Sequence, residues 1–113
     1  MNRNDWMSVL LLLTEELKKV YKDNLKAVVL YGSVAKGTAG EDSDIDIMVM
    51  VDVPQAELKK YEEQLCDIST NFALEYFKVF SIVDVSYKEF EEWKEVSPFY
   101  RNVKNEGITL YAA

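Results

Sequence analysis

The sequence predicts an α/β (α+β) fold in which a mixed β-sheet of three to four strands packs against helices. Two patterns predict it: apolar residues recur at helical spacing in some segments, and short β-branched runs lie between those segments. The loop between the first two runs is too short for an ordinary helical crossover, so we expect those two strands to pair antiparallel. The predicted order is α-β-β-α-β-α-α-β.

Helical periodicity predicts four helices. Apolar residues recur at intervals of three and four over about residues 5–23, and again from Pro54, which suits the first turn of a helix, to about Tyr76. Two shorter helices are expected over 88–95 and 98–105.

Short apolar runs rich in β-branched residues predict the strands. We expect strands over 27–31, 45–53 and 78–86. Residues 108–111, which follow Gly107, can add a final edge strand. The fold is therefore expected to be complete within a single domain, residues 1–113.

Length and charge limit the classes of function. The chain has 113 residues, of which 49% are hydrophobic and 29% charged, as is usual for a globular domain. With 13 basic and 20 acidic residues, the net charge is −7, which argues against holding a long nucleic acid through the overall field. A local basic patch would be the alternative, and it could include Lys59, Lys60, Lys94 and Arg101.

Cysteine usage and hydropathy indicate the compartment. The single cysteine, Cys66, cannot form an internal disulfide, and the chain has no histidine, so a zinc finger or a histidine-based triad is not expected. The apolar run 9–13 is followed at once by Thr14 and two glutamates, which excludes a signal peptide or a membrane span there. We expect a cytoplasmic protein that does not act at a membrane.

A glycine-serine pair follows directly on the first predicted strand. Gly32 and Ser33 form this pair, and if Val34 to Lys36 begin a helical turn, their N–H groups and the Ser33 hydroxyl point at an anion such as a triphosphate. The alternative is a strand-end turn that simply needs glycine. A P-loop is excluded, because Thr38 rather than lysine follows Gly37.

Asp44 and Asp46 lie at positions i and i+2 where the second predicted strand begins, and in an extended chain such residues project from the same face. Two adjacent carboxylates repel each other unless a cation lies between them, and Mg²⁺ suits such a pair. A solvated strand entrance is the alternative. An EF-hand is excluded, because Ile47 and Val53 stand where its loop needs glycine and glutamate.

A third carboxylate, Asp84, lies in the apolar run 82–85, where an ionised group is costly without a partner. If its strand pairs with the one that carries Asp44 and Asp46, all three could converge as metal ligands and catalytic groups, with Asp84 accepting a proton. The alternative is a strand-end residue that faces solvent.

The spacing of Gly32-Ser33, ten residues, then Asp44-Ile45-Asp46 resembles the motif of the DNA polymerase β-like nucleotidyltransferase superfamily. The small size resembles the minimal nucleotidyltransferase (MNT) family in particular. The resemblance implies that a nucleoside triphosphate, ATP above all, binds with Mg²⁺, and that a nucleoside monophosphate is transferred to a hydroxyl with release of pyrophosphate. It assigns Ser33 to the triphosphate, Asp44 and Asp46 to the metal, and Asp84 to the third acidic position.

The resemblance also implies a partner. Many MNT proteins are antitoxins encoded beside a HEPN-domain ribonuclease toxin, whose tyrosine they can AMPylate, so we expect a HEPN-domain protein as acceptor and an oligomer with it. Two alternatives stay open: a catalytically weak or inactive binding module that neutralises a partner by association, and an acidic scaffold without a ligand. Binding of nucleotide and metal would separate the three.

Overall fold

The structure is a computed structural model that describes residues 3–40 and 42–113, and within them it contains five α-helices and four strands. The helices are α1 (Arg3–Tyr21), α2 (Gly32–Lys36), α3 (Glu62–Tyr76), α4 (Tyr87–Trp93) and α5 (Pro98–Glu106). The strands are β1 (Leu25–Tyr31), β2 (Ile45–Val51), β3 (Phe80–Ser86) and β4 (Ile108–Ala112). Two 3₁₀ segments, Lys22–Asn24 and Gln55–Tyr61, precede β1 and α3.

The second long helix differs from its prediction. It was expected to begin at Pro54, but residues Gln55–Tyr61 form a 3₁₀ segment and the α-helix begins at Glu62. Pro54 itself is extended, with φ −56° and ψ 142°, so it lies before the first turn and not within it. Every other predicted element ends within two residues of the observed bounds.

The four strands form one mixed sheet in the order β3-β2-β1-β4. β1 pairs antiparallel with both β2 and β4, whereas β3 pairs parallel with β2. This confirms the mixed sheet, the antiparallel pairing of the first two strands and the final strand at an edge. The long connection through α3 is what allows β3 to return parallel to β2.

The two faces of the sheet are covered unequally. α1 and α3 pack on one face, where Leu10, Leu13 and Leu17 are fully buried, and the larger core lies there. The other face carries a smaller cluster of buried residues, drawn from β1, β2, β3, α4 and α5. None of the helices in the described ranges is long and apolar enough to cross a membrane.

Candidate active site

The turn after β1 and the start of β2 meet at Gly32 and Asp46. Gly32 has φ +76°, a conformation that favours glycine, and a Cβ at this position would overlap with Asp46 Oδ2. Tyr31, the preceding residue, is the direct partner of Asp46 across the β1–β2 ladder. The two sequence features predicted to bind a triphosphate and a metal ion therefore lie side by side.

The turn itself is a short helix held against the core. Val34 and Ala35 in α2 are buried, and Gly37, with φ +78°, ends the helix by donating its N–H to the Ser33 and Val34 carbonyls. Gly32 and Ser33 stay partly accessible at the amino end, where the first N–H groups of a helix lack intrahelical partners. The N–H groups of Gly32 and Ser33 and the Ser33 hydroxyl therefore lie where an anion can reach them.

Asp44 and Asp46 form an electrostatically coupled pair. Asp44 is exposed just before β2, while Asp46 is partly buried within the strand. Burial raises the pKa of Asp46, and the negative charge of Asp44 raises it further. A cation would relieve this repulsion, and two carboxylates fit Mg²⁺, which is usually held by one or two carboxylates together with substrate phosphates.

The structure contradicts the predicted position of Asp84. In the parallel β2–β3 ladder, Asp46 pairs with Ser81 while Asp84 pairs with Val49. Ser81 and Asp84 are three residues apart on one strand, so Asp84 points to the opposite face of the sheet from Asp46. Within residues 3–40 and 42–113, no three acidic, histidine or cysteine side chains are grouped to hold a metal ion.

Asp84 instead contacts the end of α1. The Tyr21 hydroxyl donates a hydrogen bond of 2.9 Å to Asp84 Oδ2. Burial raises the pKa of Asp84, and the hydrogen bonds from Tyr21 and from its own backbone N–H oppose that rise, while the charge of Glu62 adds to it. Asp84 is therefore a structural link between β3 and α1 on the face away from the site.

Lys36 lies at the last position of α2, and its ammonium pairs with Glu106 Oε2 at 3.0 Å. Both side chains are about half exposed. To contact a phosphate, Lys36 would have to break its ion pair with Glu106. Its role in nucleotide binding stays a prediction.

Two of the four basic residues considered as a local patch form ion pairs with glutamates three residues before them in the sequence. Lys60 pairs with Glu57 at 4.0 Å, and Lys94 pairs with Glu91 at 2.6 Å. These two lysines therefore offer little free positive charge to a nucleic acid.

The site also contains residues that the sequence did not indicate. Ser81 lies directly across the ladder from Asp46, a position that the register of β2 and β3 alone reveals. The ring of Tyr31 packs edge-to-face on Phe99, with 5.6 Å between centroids. No local pattern predicts that contact, because it depends on how α5 packs across β1.

Comparison with known proteins agrees with this geometry. The family model of the nucleotidyltransferase domain matches residues 12–109. A curated relative from Methanocaldococcus jannaschii, provisionally named a protein adenylyltransferase, is 35% identical over 95 residues, which cover 84% of this chain and 87% of the relative.

Two solved structures share the fold. The chain is similar to one chain of a mutant toxin-antitoxin structure named MntA-HpeT, with a TM-score of 0.57, 18% identity, and coverage of 100% of this chain and 75% of that one. A toxin-antitoxin structure with AMP-PNP gives a TM-score of 0.54 and 22% identity over 88% of this chain and 73% of that one. At these identities, the likeness concerns the fold alone. Since the matched domain spans most of the chain, including the Gly32-Ser33 turn and the aspartate pair, the chain belongs to the nucleotidyltransferase domain family and is a nucleotidyltransferase.

Proposed function

We propose that this nucleotidyltransferase transfers AMP from ATP to a hydroxyl of a partner protein, with Mg²⁺ held by Asp44 and Asp46. The observation that carries the proposal is the close approach of Gly32 to Asp46, which joins an anion-binding turn and a cation-binding pair in one site. The provisional name of the relative from M. jannaschii supports both the adenylyl group and the protein acceptor.

The arrangement of residues suits phosphoryl transfer. The N–H groups of Gly32 and Ser33 and the Ser33 hydroxyl bind the triphosphate, and Asp44 and Asp46 would hold the metal ion. Bound Mg²⁺ supplies neutralisation of the charge that develops on the triphosphate. The acceptor oxygen forms a bond to the α-phosphorus as its proton passes to solvent water, the bond from that phosphorus to the bridging oxygen breaks, and pyrophosphate leaves. Asp84 takes no part in removing the hydroxyl proton, because it lies on the other face.

The proposed partner is a HEPN-domain toxin, which makes this chain an antitoxin acting in the cytoplasm. The similar solved folds come from toxin-antitoxin structures, one of them with AMP-PNP. Exposed apolar side chains on this chain, such as Leu74 at 71% and Leu12 at 55% exposure, are consistent with a protein partner.

A binding module without transfer activity is the second candidate. The observation that favours it is the missing third carboxylate: within the described residues, no third acidic side chain joins Asp44 and Asp46 in a group that could hold a metal ion. Such a module would neutralise its partner by association and would need neither ATP nor metal.

Charge removal at the aspartate pair tests the proposal. We expect Asp44→Asn and Asp46→Asn each to lower transfer by about 100-fold or more, since the pair can no longer hold a metal ion. Their melting temperatures should stay unchanged or rise slightly, because one of two repelling charges is gone. The measurement is the incorporation of label from α-labelled ATP into a HEPN-domain partner protein, with Mg²⁺ present.

Asp52→Asn is the matched control. It removes the same charge from an exposed aspartate just past the other end of β2 and should leave transfer unchanged. Full transfer by Asp46→Asn would refute the assignment. Partner neutralisation by wild type without ATP, and without any incorporated label, would favour the binding module.

A further inference from the structure

A pocket of about 490 Å³ opens between the edge of β3 and the short helices α4 and α5. We name it the aromatic pocket, after Trp93, Phe99 and Tyr100, which line it together with Val83 and Glu89. Its volume lies within the range of about 300–1,000 Å³ found for small-molecule sites. Trp93 is 50% exposed and Phe99 46% exposed, so both rings are accessible to a ligand.

The aromatic pocket lies at the edge of β3, where Asp84 also lines it, and it extends onto the face of the sheet that carries Asp46. Ser81 pairs with Asp46, and Val83, two residues further along β3, points to the same face. With about 3.3 Å per residue along a strand and about 4.8 Å between strands, the backbone positions of Val83 and Asp46 lie about 8 Å apart. One ribose separates the base of a nucleotide from its α-phosphate, so a base in the pocket leaves the α-phosphate near Asp46.

Phe99 connects the aromatic pocket to the phosphate-binding turn. Its ring packs on Tyr31, which pairs with Asp46 and directly precedes Gly32. Phe99 also lines a smaller cleft of about 150 Å³ beside Gly32 and Lys36. The ring is supported from behind by Tyr100, with 5.7 Å between centroids. Phe99 therefore lies between the two places that a bound nucleotide would occupy.

We infer that the aromatic pocket binds the base of the nucleotide substrate, with Phe99 and Trp93 as stacking surfaces. This inference rests on the proposed function. Within the described chain, neither lysine nor arginine lines the pocket, and Glu89 disfavours a phosphate there. An uncharged base stacks on aromatic rings, and its exocyclic amine can donate a hydrogen bond to the carboxylate of Glu89.

Tryptophan fluorescence tests this inference directly. The chain has two tryptophans, and Trp6 is buried at 6% exposure, so a ligand in the pocket changes the emission of Trp93. The probes are α,β-methylene-ATP and inorganic tripolyphosphate, each with Mg²⁺. We expect the ATP analogue to quench the emission, and tripolyphosphate to bind in calorimetry without quenching.

Phe99→Ala separates base binding from phosphate binding. We expect it to lower the affinity for the ATP analogue by about 10-fold or more, because a stacking surface is lost. The affinity for tripolyphosphate should stay unchanged. Phe77→Ala is the matched control: it removes the same ring from a residue at 89% exposure beyond the end of α3, and should change neither affinity.

The outcomes distinguish failure of the base-binding inference from failure of the proposed function on which it rests. If wild type binds neither probe, the proposed function fails and the inference fails with it. If wild type binds the ATP analogue and Phe99→Ala binds it equally well, the inference alone is overturned. In that case, loss of labelling of the partner by Phe99→Ala would assign the pocket to an aromatic side chain of the acceptor protein.

Discussion

Asp46 and Asp84 stand in similar apolar strands but in opposite chemical environments. Burial is the main cause that raises the pKa of each carboxyl, and the second causes differ in sign. The charge of Asp44 raises the pKa of Asp46 further, whereas the hydrogen bond from Tyr21 lowers that of Asp84. A carboxylate repelled by its neighbour favours a cation, while one that accepts a hydrogen bond already has its partner.

We therefore expect Asp84→Asn to keep transfer activity within about threefold of wild type. The amide oxygen of asparagine can still accept the hydrogen bond from Tyr21, so the free energy of unfolding should change by about 1 kcal/mol or less. Asp84→Leu should cost about 1–3 kcal/mol, because the Tyr21 hydroxyl loses its partner. Label incorporation and urea denaturation measure the two effects. Loss of transfer by a folded Asp84→Asn protein would restore the catalytic role predicted from the sequence.

At the scale of elements, the sequence pattern predicts the bounds of helices and strands but not the register between strands. The β-branched run of β2 and the helical spacing in α1 gave their bounds to within two residues, because burial imposes those periods directly. The register between β2 and β3 has no such local signal, since it depends on how α3 packs in the connection. Pairing of the two strands was therefore predictable, but the register was not: Ser81 lies opposite Asp46, and Asp84, an odd number of positions further along, lies on the other face.

Register also predicts where a third carboxylate could be introduced. Ser81→Asp places it opposite Asp46 on the same face, so three negative charges would converge. We expect this variant to melt at a lower temperature than wild type without metal, and to gain more from added Mg²⁺ than wild type does. Transfer should rise by about 10-fold as the metal is held more firmly.

Calorimetric melting with and without Mg²⁺ measures this change. Ser81→Asn is the control, because it adds a side chain of the same shape as aspartate without the charge. An equal response to Mg²⁺ in the asparagine and aspartate variants would show that Ser81 does not face the metal-binding pair.

At the scale of the whole molecule, one buried tyrosine joins three segments. Tyr21 ends α1, donates its hydroxyl hydrogen to Asp84 on β3, and packs on Tyr61 of the 3₁₀ segment with 4.6 Å between ring centroids. The side chain is 2% exposed. Tyr21 thus links the larger core to the edge strand whose other side carries Ser81, although it lies on the face away from the site.

This link makes the stability of the whole domain sensitive to alkaline pH. Burial, and then the charge of Asp84, raise the pKa of Tyr21 far above its ordinary value of 10.0. Below pH 10 the tyrosine is neutral in both the folded and the unfolded chain, and its stabilising contribution is fully present. Above pH 10 it ionises only in the unfolded chain, so its contribution falls by about 1.4 kcal/mol for each pH unit.

Tyr21→Phe should therefore be less stable than wild type at pH 8, and its free energy of unfolding should depend less on pH above pH 10. At pH 8 we expect a cost of about 1–3 kcal/mol, because Asp84 loses a hydrogen bond in a partly buried position. Between pH 10 and 11 the difference in free energy of unfolding between wild type and Tyr21→Phe should fall by about 1 kcal/mol. Wild type loses stability as Tyr21 ionises in the unfolded chain, whereas phenylalanine has no proton to lose. Urea denaturation of both proteins at pH 8, 10 and 11 measures this difference in free energy of unfolding. The other tyrosines are the same in both proteins, so their ionisation does not contribute to the difference. A difference that stays constant across this range would mean that Tyr21 ionises as readily in the folded domain as in the unfolded chain, and that the link between α1 and β3 does not exclude water.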